Sequence, residues 1–600
     1  MNLSFTRIGR FLFYIFTFLL PVFYIPGSIV PAEINRTLFM LVSLSIIAAF
    51  FAIGAIKEGK IKVRDKFVSG SILTFTLLAS VSTFFSINPL NSLFGENGGF
   101  DSLIAFISYA LVFFLALGLM NKKEEARNIV LALISSVSIL NIGFLGRMLL
   151  GGGSEMVLGG LNALAISNVL VMVLLFFFFK KEENPSIKGL TGLSFFILGA
   201  GLILINFDVA WFILAIASFL CFWAMLLEGN FKKINFILLA ITIISAVLFF
   251  VNPSFPFEKR EHVQTLSFNE SLEVIKKENV SFLGFGAASF DDQFLKYNPS
   301  MLQDTVHFEA SSTILNIFND FGILGLIAFL IPFTYATLRG FKRFLTKKQN
   351  TFEKMSFISF FSLFVLLFFY AFDLVLMTLL FLFLALFIIS SKKEKEVAFK
   401  NKNPGKIFLI IAGFSLVMIS LIVLNYFYFL NYSAENYYNL AIENYKTDRE
   451  KGIDYLSKSE SFMEKEKTLI GLSQLYLLKA SDLYNESRLL ETKEEDRETK
   501  KEDCEKFMQL SEDKAIKATE INPHDYFSWL NLGNIYNNRR YLRDEELADK
   551  AIEAYIRASE LAPYTKEPYT ALIQVYSELG NVEKREEYVE KMRVIDPSVL

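Results

Sequence analysis

The chain has 600 residues, 53% of them hydrophobic, with 66 phenylalanines and a formal net charge of -2. That balance points to a polytopic membrane protein and gives no basic surface for nucleic acid. Its two cysteines, Cys221 in an apolar run and Cys504 in a polar one, suggest neither a disulfide nor a metal site.

Apolar runs of the length that crosses about 30 Å of hydrocarbon recur at roughly 11–30, 35–56, 67–87, 102–120, 128–150, 157–179, 189–206, 209–227, 234–251, 313–337, 355–371, 374–390 and 407–429. They predict an all-α membrane domain of about thirteen spans, the short pair around Asp373 also being readable as one broken element. The first span follows Arg7 and Arg10 as a signal peptide would, but further spans and no A-x-A site come after it. It is read as retained.

The loops alternate in charge. One set is basic: Arg7 and Arg10; Lys57 to Lys66; Lys122, Lys123 and Arg127; Lys180, Lys181 and Lys188; Lys232 and Lys233; RGFKRFLTKK from Arg339; and the stretch after Ser391. The other set is cation-poor: the turn at Arg36, NPLNSLFGENGGF from Asn88, GGGSEM after Arg147 and the turn at Asp208. Lysine and arginine concentrate in cytoplasmic loops, so the N-terminus is expected in the cytoplasm of a cell bounded by this membrane. The long loop at 252–312 and everything after the last span are then extracytoplasmic. The expected domains are 1–390, a multi-spanning unit; 391–430, a cytoplasmic linker and last span; and 431–600, a soluble tail.

In the tail the composition turns rich in Glu and Lys with interspersed Tyr, Leu and Ala, the pattern of amphipathic helices. Pro563 and Pro597 are 34 residues apart, the tetratricopeptide period. Trp529, Leu532, Gly533 and Tyr536 fall on one predicted helix and Ala551, Tyr555, Ala558 and Pro563 on or after the next, with about six extra residues between Asn537 and Lys550. Tyr569, Leu572, Tyr576 and Gly580 begin a further unit, and Ala515, Ala518 and Pro523 end an earlier one. AENYYNLAIENY and LIGLSQLYLLKASDLY read as degenerate helices of the same kind. The tail thus resembles the tetratricopeptide family over about 511–600, and that resemblance implies an α-solenoid with a concave face for a protein partner. ETKEEDRETKKEDCEK, from Glu491, reads as a charged helix or linker.

Residues able to do chemistry are few. The three histidines, His262, His307 and His524, have no partners at metal-ligand spacing, and no phosphate loop, nucleotide-binding glycine motif or nucleophile elbow occurs. No metal and no cofactor is expected. What remains lies on the long loop: Lys259, Arg260, Lys276, Lys277, Asp291, Asp292, Lys296, His307 and Glu309. Cations at an outer membrane surface neutralise a diphosphate, and a histidine or carboxylate beside them removes a proton from an attacking hydroxyl. Taken singly, each of these charges reads as an ordinary solvated loop residue, and FLGFGAASF from Phe282 reads as a tight turn.

The loop's end carries a G-x-G-x-x-[ST]-F turn, Gly284, Gly286, Ser289 and Phe290, and then DTVHFEASSTILNIFNDFGILGLIAFL from Asp304. These motifs resemble the O-antigen ligase and O-antigen polymerase family, over roughly residues 1–390. Members have one large extracytoplasmic loop between the ninth and tenth helices, and a segment H-N-x-x-L-x-x-L-x-E-x-G-x-x-G-L after it. Here Leu315, Phe318, Gly322, Gly325 and Leu326 match that segment, Asp320 takes the acidic position, and GGLNALA from Gly159 is similar to the family's G-N-x-N-x-x-A. Ser311 and Ser312 stand where the family has its histidine and asparagine, and His307 sits four residues earlier, about one turn if the helix extends that far. Where relatives carry an arginine before the fourth helix, this chain has Glu96 and Asp101.

The resemblance implies a metal-independent, inverting glycosyltransferase of surface polysaccharide assembly in the cytoplasmic (inner) membrane. Its donor would be a glycan on undecaprenyl diphosphate and its acceptor a hydroxyl of a lipid, sugar or protein. It assigns His307 or Glu309 to the acceptor and Lys259, Arg260 and Lys296 to the diphosphate. Gly322 and Gly325 are expected to allow close helix packing. Two rival classes are a non-catalytic membrane scaffold displaying the solenoid, and a lipid or glycan transporter, which calls for ionisable or broken helices at mid-membrane.

Overall fold

The computed structural model describes residues 4–25, 27–95, 99–120, 123–150, 160–181, 184–229, 233–251, 263–265, 268–277, 280, 282–290, 307–347, 349–392, 395–398, 404–488, 494–542 and 547–595. The helices are α1 Phe5–Val22, α2 Ala32–Glu58, α3 Lys66–Phe84, α4 Pro89–Phe94, α5 Leu103–Leu119, α6 Lys123–Leu149, α7 Leu161–Lys181, α8 Pro185–Ile205, α9 Asp208–Leu227, α10 Lys233–Val251 and α11 Phe268–Lys277. After the long loop come α12 Thr313–Leu345, α13 Thr351–Leu366, α14 Leu374–Ser391 and α15 Pro404–Asn444. The tail holds α16 Arg449–Phe462, α17 Glu466–Ser487, α18 Glu494–Ile521, α19 Tyr526–Leu542, α20 Leu547–Leu561, α21 Lys566–Glu578 and α22 Val582–Ile595. Strands are short: β1 Lys60–Val63, β2 Val263–Thr265, β3 His307–Glu309 and β4 Lys395–Ala398. The fold is all-α, and among the described residues ten helices are long and apolar enough to cross a membrane.

The helix limits follow from local chemistry. Side chains of Asp65, Asn88, Ser102, Asn350 and Asp373 accept backbone N–H groups in the first turns of α3, α4, α5, α13 and α14, which satisfies donors that a helix start leaves open. Gly59 and Asn206 end α2 and α8 in the left-handed conformation. The pair around Asp373 is two helices, α13 and α14, separated by residues 367–373.

The chain divides into two compact units. The first comprises residues 1–271, 280–288 and 309–426. At its centre lies α14, buried along its whole length from Leu374 to Ser390, with α5 beside it. Neighbours pack in pairs: α1 on α2, α3 on α12, α7 on α8 and α9, α9 on α10, and α13 on α14.

One end of this unit is tied together by its basic loops. Strands β1 and β4 pair antiparallel, Lys60 opposite Ala398. Asp65 is buried and receives both Arg339, at 3.0 Å, and Lys392. Arg64 donates to the carbonyls of Met120 at 2.6 Å and Ile389 at 3.1 Å, the C-terminal ends of α5 and α14. Arg10 pairs with Glu125, and Lys354 with Glu228 at 2.6 Å. Buried ion pairs repay their desolvation only when every partner is present. These therefore fix which loops share this end.

The second unit comprises 272–279, 289–308 and 427–600. Its helices α16 to α22 each pack on the next in the chain. Gly533 lies against the Tyr555 ring, which a Cβ there would meet at 2.5 Å, and the Tyr555 hydroxyl donates to Asn534 at 2.9 Å. Ala515, Ala518, Ala551 and Ala558 are buried, as are Leu532, Tyr536, Tyr555, Tyr569, Leu572 and Tyr576. Small residues here let paired helices approach around aromatic rings. The Trp529 indole donates to the Pro523 carbonyl at 3.0 Å, and the Tyr569 hydroxyl to that of Pro563, also at 3.0 Å. Pro597 lies outside the described residues.

Two details differ from expectation. The extra length after Asn537 is partly helical, because α19 runs on to Leu542. AENYYNLAIENY is not a separate helix but the end of α15, continuous with the last span. The boundary at 430/431 therefore falls inside a helix. The charged segment from Glu491 enters α18 at Glu494.

Candidate functional site

The end of the first unit away from the basic loops is where α2, α5, α12 and α14 begin and α3 finishes. Two features meet there.

The first is a broken helix. At Gly322, φ is 63° and ψ -168°, so α12 is two helical pieces joined at that residue. A break leaves carbonyls and N–H groups without intrahelical partners, and the glycine loop fills them. Phe285 N donates to the Asn319 carbonyl at 3.2 Å, Gly286 N to that of Asp320 at 2.9 Å, and Leu324 N to that of Phe282 at 3.3 Å. The Ser82 hydroxyl lies 2.7 Å from the Leu283 carbonyl and 2.9 Å from that of Asp320. Asn91 donates to the Ala288 carbonyl at 3.2 Å, and Ile87 N to that of Phe285 at 3.2 Å.

Glycine is required at both loop positions. Gly284 and Gly286 have φ of 73° and 104°; a Cβ on the first would overlap the Asp320 carbonyl, and on the second the Ser86 hydroxyl. The loop is thus a docking segment rather than a free turn. Asp320 is wholly buried behind it, and its carboxylate accepts from Ala288 N at 3.3 Å and from Asn319 at 3.3 Å. Gly322 is the break itself, which corrects its reading as a packing glycine; Gly325 lies against the Phe321 side chain one turn back. Ser289 and Phe290 are buried.

The second feature is a charged cluster at the helix starts. Arg36, in the second turn of α2, is 1% exposed and the largest wholly buried side chain among the described residues. It interacts electrostatically with Glu33 of its own helix and with Asp373, which caps α14 through a 2.7 Å bond from Leu376 N. Carboxylates at helix N-termini are favoured by the exposed N–H groups there, and the guanidinium offsets the cost of burying Asp373, while Glu33 is half-buried. Buried Tyr109 of α5 feels the same two carboxylates and Asp101, and its hydroxyl donates to the Phe100 carbonyl at 2.9 Å. Thr313, at the start of α12, is joined to the segment before α14 by its N–H and hydroxyl donating to the Tyr370 carbonyl, at 3.1 and 3.0 Å. The two features are linked by rings: Phe106 lies 5.2 Å from Phe321, beside the break, and 5.8 Å from Tyr109.

Sequence reasoning treated Arg36 as a turn residue in a cation-poor loop and Asp373 as a helix interruption. The available signal was that an ionisable residue set within an apolar run is costly and marks a site.

The residues expected on the long loop fare differently. Lys259, Arg260 and Lys296 lie outside the described residues. His307 and Glu309 lie in β3, not on a helix: α12 begins at Thr313 with Ser312 as its cap, the Ser312 hydroxyl receiving Leu315 N at 3.4 Å. The one-turn relation of His307 to position 311 therefore does not hold, because extended backbone separates them. Ser312 is used as the cap, while the Ser311 hydroxyl is buried and has no hydrogen-bond partner among the described residues. Ser311 N donates to the Ser271 hydroxyl of α11 at 2.9 Å.

The class this fold defines is a multi-pass, all-α membrane protein. No protein-family model matches the chain, and neither does any curated protein.

Proposed function

We propose that the protein transfers a glycan from undecaprenyl diphosphate to an acceptor hydroxyl at the outer face of the cytoplasmic membrane, in the manner of the O-antigen ligases and polymerases it resembles. The observation that carries this reading is the convergence of buried Arg36, Asp373 and Tyr109, half-buried Glu33 and a loop-filled helix break at one end of the bundle. Buried charge in membrane helices is expensive and is kept for function.

In the reaction the acceptor oxygen bonds to the anomeric carbon of the first sugar as the bond from that carbon to the diphosphate oxygen breaks. The diphosphate leaves with the electron pair, and the acceptor proton passes to a base. His307 or Glu309 is the proposed base, a role commonly worth 10²–10⁴-fold in rate. Arg36 already faces two carboxylates, so the leaving group falls to the loop cations Lys259, Arg260 and Lys296. The proposed orientation has thirteen spans, the N-terminus in the cytoplasm and a tetratricopeptide tail outside, which would recruit an acceptor protein or envelope partner.

A second reading, a scaffold displaying the tail, is favoured by Ser311 standing where the family has its histidine, with a buried hydroxyl that has no hydrogen-bond partner among the described residues. Surface glycan from wild-type and deletion cells, compared by gel and mass spectrometry, separates these. Loss of attachment with accumulated lipid-linked glycan marks a ligase, and shortened chains a polymerase. Unchanged glycan, or rescue of the deletion by the tail tethered to an unrelated span, rejects the transferase. Within that test, normal transfer by His307→Ala, Glu309→Ala and Lys296→Ala alike rejects the proposed site.

A further inference from the structure

At the basic end of the first unit, α3 and α12 pass from charged to apolar sequence at one level. On α3 the change falls between Lys66 and Phe67, and on α12 between Arg339 and Leu338. The two boundaries are tied together: the Phe67 ring lies 4.6 Å from that of Tyr335, and Asp65, the cap of α3, receives Arg339 at 3.0 Å. Rings beside cations at the end of a span mark the level where lipid head groups meet hydrocarbon.

The charge at this corner is unbalanced. Asp65 is 1% exposed, and both of its oxygens are engaged: one accepts the N–H groups of Phe67 and Val68, the other receives Arg339 and Lys392. Arg64 spends its guanidinium on the carbonyls of Met120 and Ile389, and Glu396 is shared by Lys60 and Lys62. Lys66 and Lys342 are exposed and join none of the ion pairs among the described residues. Tyr335, Arg339 and Lys342 stand at i, i+4 and i+7, one stripe of α12, and the contacts of Tyr335 and Arg339 turn that stripe toward the start of α3. Lys66 sits there, between Asp65 and Phe67. Five cations, Arg64, Lys66, Arg339, Lys342 and Lys392, thus gather around the one carboxylate of Asp65. Other cations at this end have an acid each: Arg10 with Glu125, Arg343 with Glu353, and Lys354 with Glu228.

We propose that Lys66 and Lys342 hold the phosphate of an anionic membrane phospholipid at this corner, with Arg339 and Lys392 adding their charge. Basic corners between spans attract anionic head groups, and lysine binds phosphate as a point charge. A lipid fits better than a soluble phosphate because Phe67 and Leu338, next to the two lysines in sequence and in helical position, are 52 and 68% exposed. The acyl chains of a bound lipid run past these two side chains into the hydrocarbon, whereas a soluble phosphate covers neither. The bound lipid completes the charge of the Asp65 latch and so favours the folded state. The site does not depend on the transferase reading.

The test titrates the full-length protein, delipidated in mild detergent, with phosphatidylglycerol or phosphatidylcholine and reads bound lipid by native mass spectrometry. Phosphatidylglycerol should bind about tenfold more tightly than phosphatidylcholine, and Lys66→Ala and Lys342→Ala should each weaken it by about fivefold while leaving phosphatidylcholine unchanged. Lys66→Arg/Lys342→Arg keeps both charges and should keep the preference. Lys57→Ala/Lys347→Ala removes two exposed cations from elsewhere at the same end and should leave binding as it is. Because Lys66 and Lys342 join no ion pair, the alanine variants should melt with wild type when free of lipid; if one unfolds, the arginine variant and the comparison of the two lipids decide. Equal affinity for the two lipids, equal weakening by Lys57→Ala/Lys347→Ala, or loss of the preference in the arginine variant would each overturn the proposal. So would displacement of phosphatidylglycerol by millimolar inorganic phosphate or glycerol phosphate, which would make this a site for a soluble phosphate.

Discussion

At the residue scale, Arg36 decides the energetics of the charged cluster. Its removal takes the cation away from the buried Asp373 carboxylate, a loss of the kind that costs about 3–5 kcal/mol. Arg36→Ala should therefore lower the thermal midpoint in detergent sharply. Arg36→Lys keeps the charge but not the planar fork and should recover only part of it. The double variant Arg36→Ala/Asp373→Asn should be more stable than the sum of the single effects, because it removes the stranded charge; additive losses would mean that the two side chains do not interact. Gly286 offers a second test. A side chain there must adopt a left-handed backbone and displace the Ser86 hydroxyl, so Gly286→Ala should destabilise by on the order of 2–4 kcal/mol. Gly413, in α15, has open space around it, and Gly413→Ala should be neutral or stabilising by up to about 1 kcal/mol. Equal midpoints for the two variants would show that the glycine loop does not dock as described.

At the element scale, the break in α12 and the loop that fills it are one structure in two pieces of chain. Gly322→Ala asks an L-residue to hold φ 63° and ψ -168°, a strain of about 1–3 kcal/mol, and Ser82→Ala removes the hydroxyl shared by both pieces. Each should raise proteolysis within the 280–290 segment while sparing the tail, measured by mass mapping; cleavage rising equally in both would argue for global unfolding instead. Gly533→Ala is the corresponding test in the tail, where the added methyl meets Tyr555 and should cost about 1–3 kcal/mol. The spans were legible in the sequence because apolar length is a local property: the run read at 209–227 is α9, Asp208–Leu227, and that at 374–390 is α14, Leu374–Ser391. Helix α12 outruns its apolar stretch, since Arg339 to Arg343 continue the helix with charged side chains that hydropathy does not count. The site was legible only in part. The glycine motif was legible as a tight turn, but its role as filler of the Gly322 break depends on carbonyls that only the folded α12 presents. The electrostatic interaction of Arg36 with Asp373 joins helices distant in sequence, and no local pattern encodes it. The helical relation of His307 to position 311, conditional on α12 extending that far, fails because β3 and the Ser312 cap intervene.

At the scale of the whole molecule, the contacts within the first unit test the proposed crossing pattern. Segments that touch at one end of a bundle must be separated by an even number of crossings. Apart from the short α4 and α11, ten apolar helices lie between β1 and β4, and two lie between Glu228 and Lys354, partners at the basic end. At the other end, six lie between Ser82 and Leu283, and two between the start of α12 and Tyr370. The parities fit the proposal that every one of these helices crosses, including α5 and α13, of 17 and 16 residues. With α1 and α2 before β1 and α15 after β4 added to those ten, the proposed count is thirteen, an odd number, and the basic loops would mark the cytoplasmic side. Single cysteines in a chain carrying Cys221→Ala and Cys504→Ala check this with a membrane-impermeant maleimide. Tyr24→Cys, in the exposed turn between α1 and α2, and Glu450→Cys, in the tail, should label in intact spheroplasts. Lys347→Cys, exposed at the basic end, should label only after lysis. Labelling of Tyr24→Cys and Lys347→Cys on the same side would break the crossing count. Labelling of Glu450→Cys only after lysis would put the tail in the cytoplasm, out of reach of an extracytoplasmic acceptor, and leave the transferase without its proposed recruitment module.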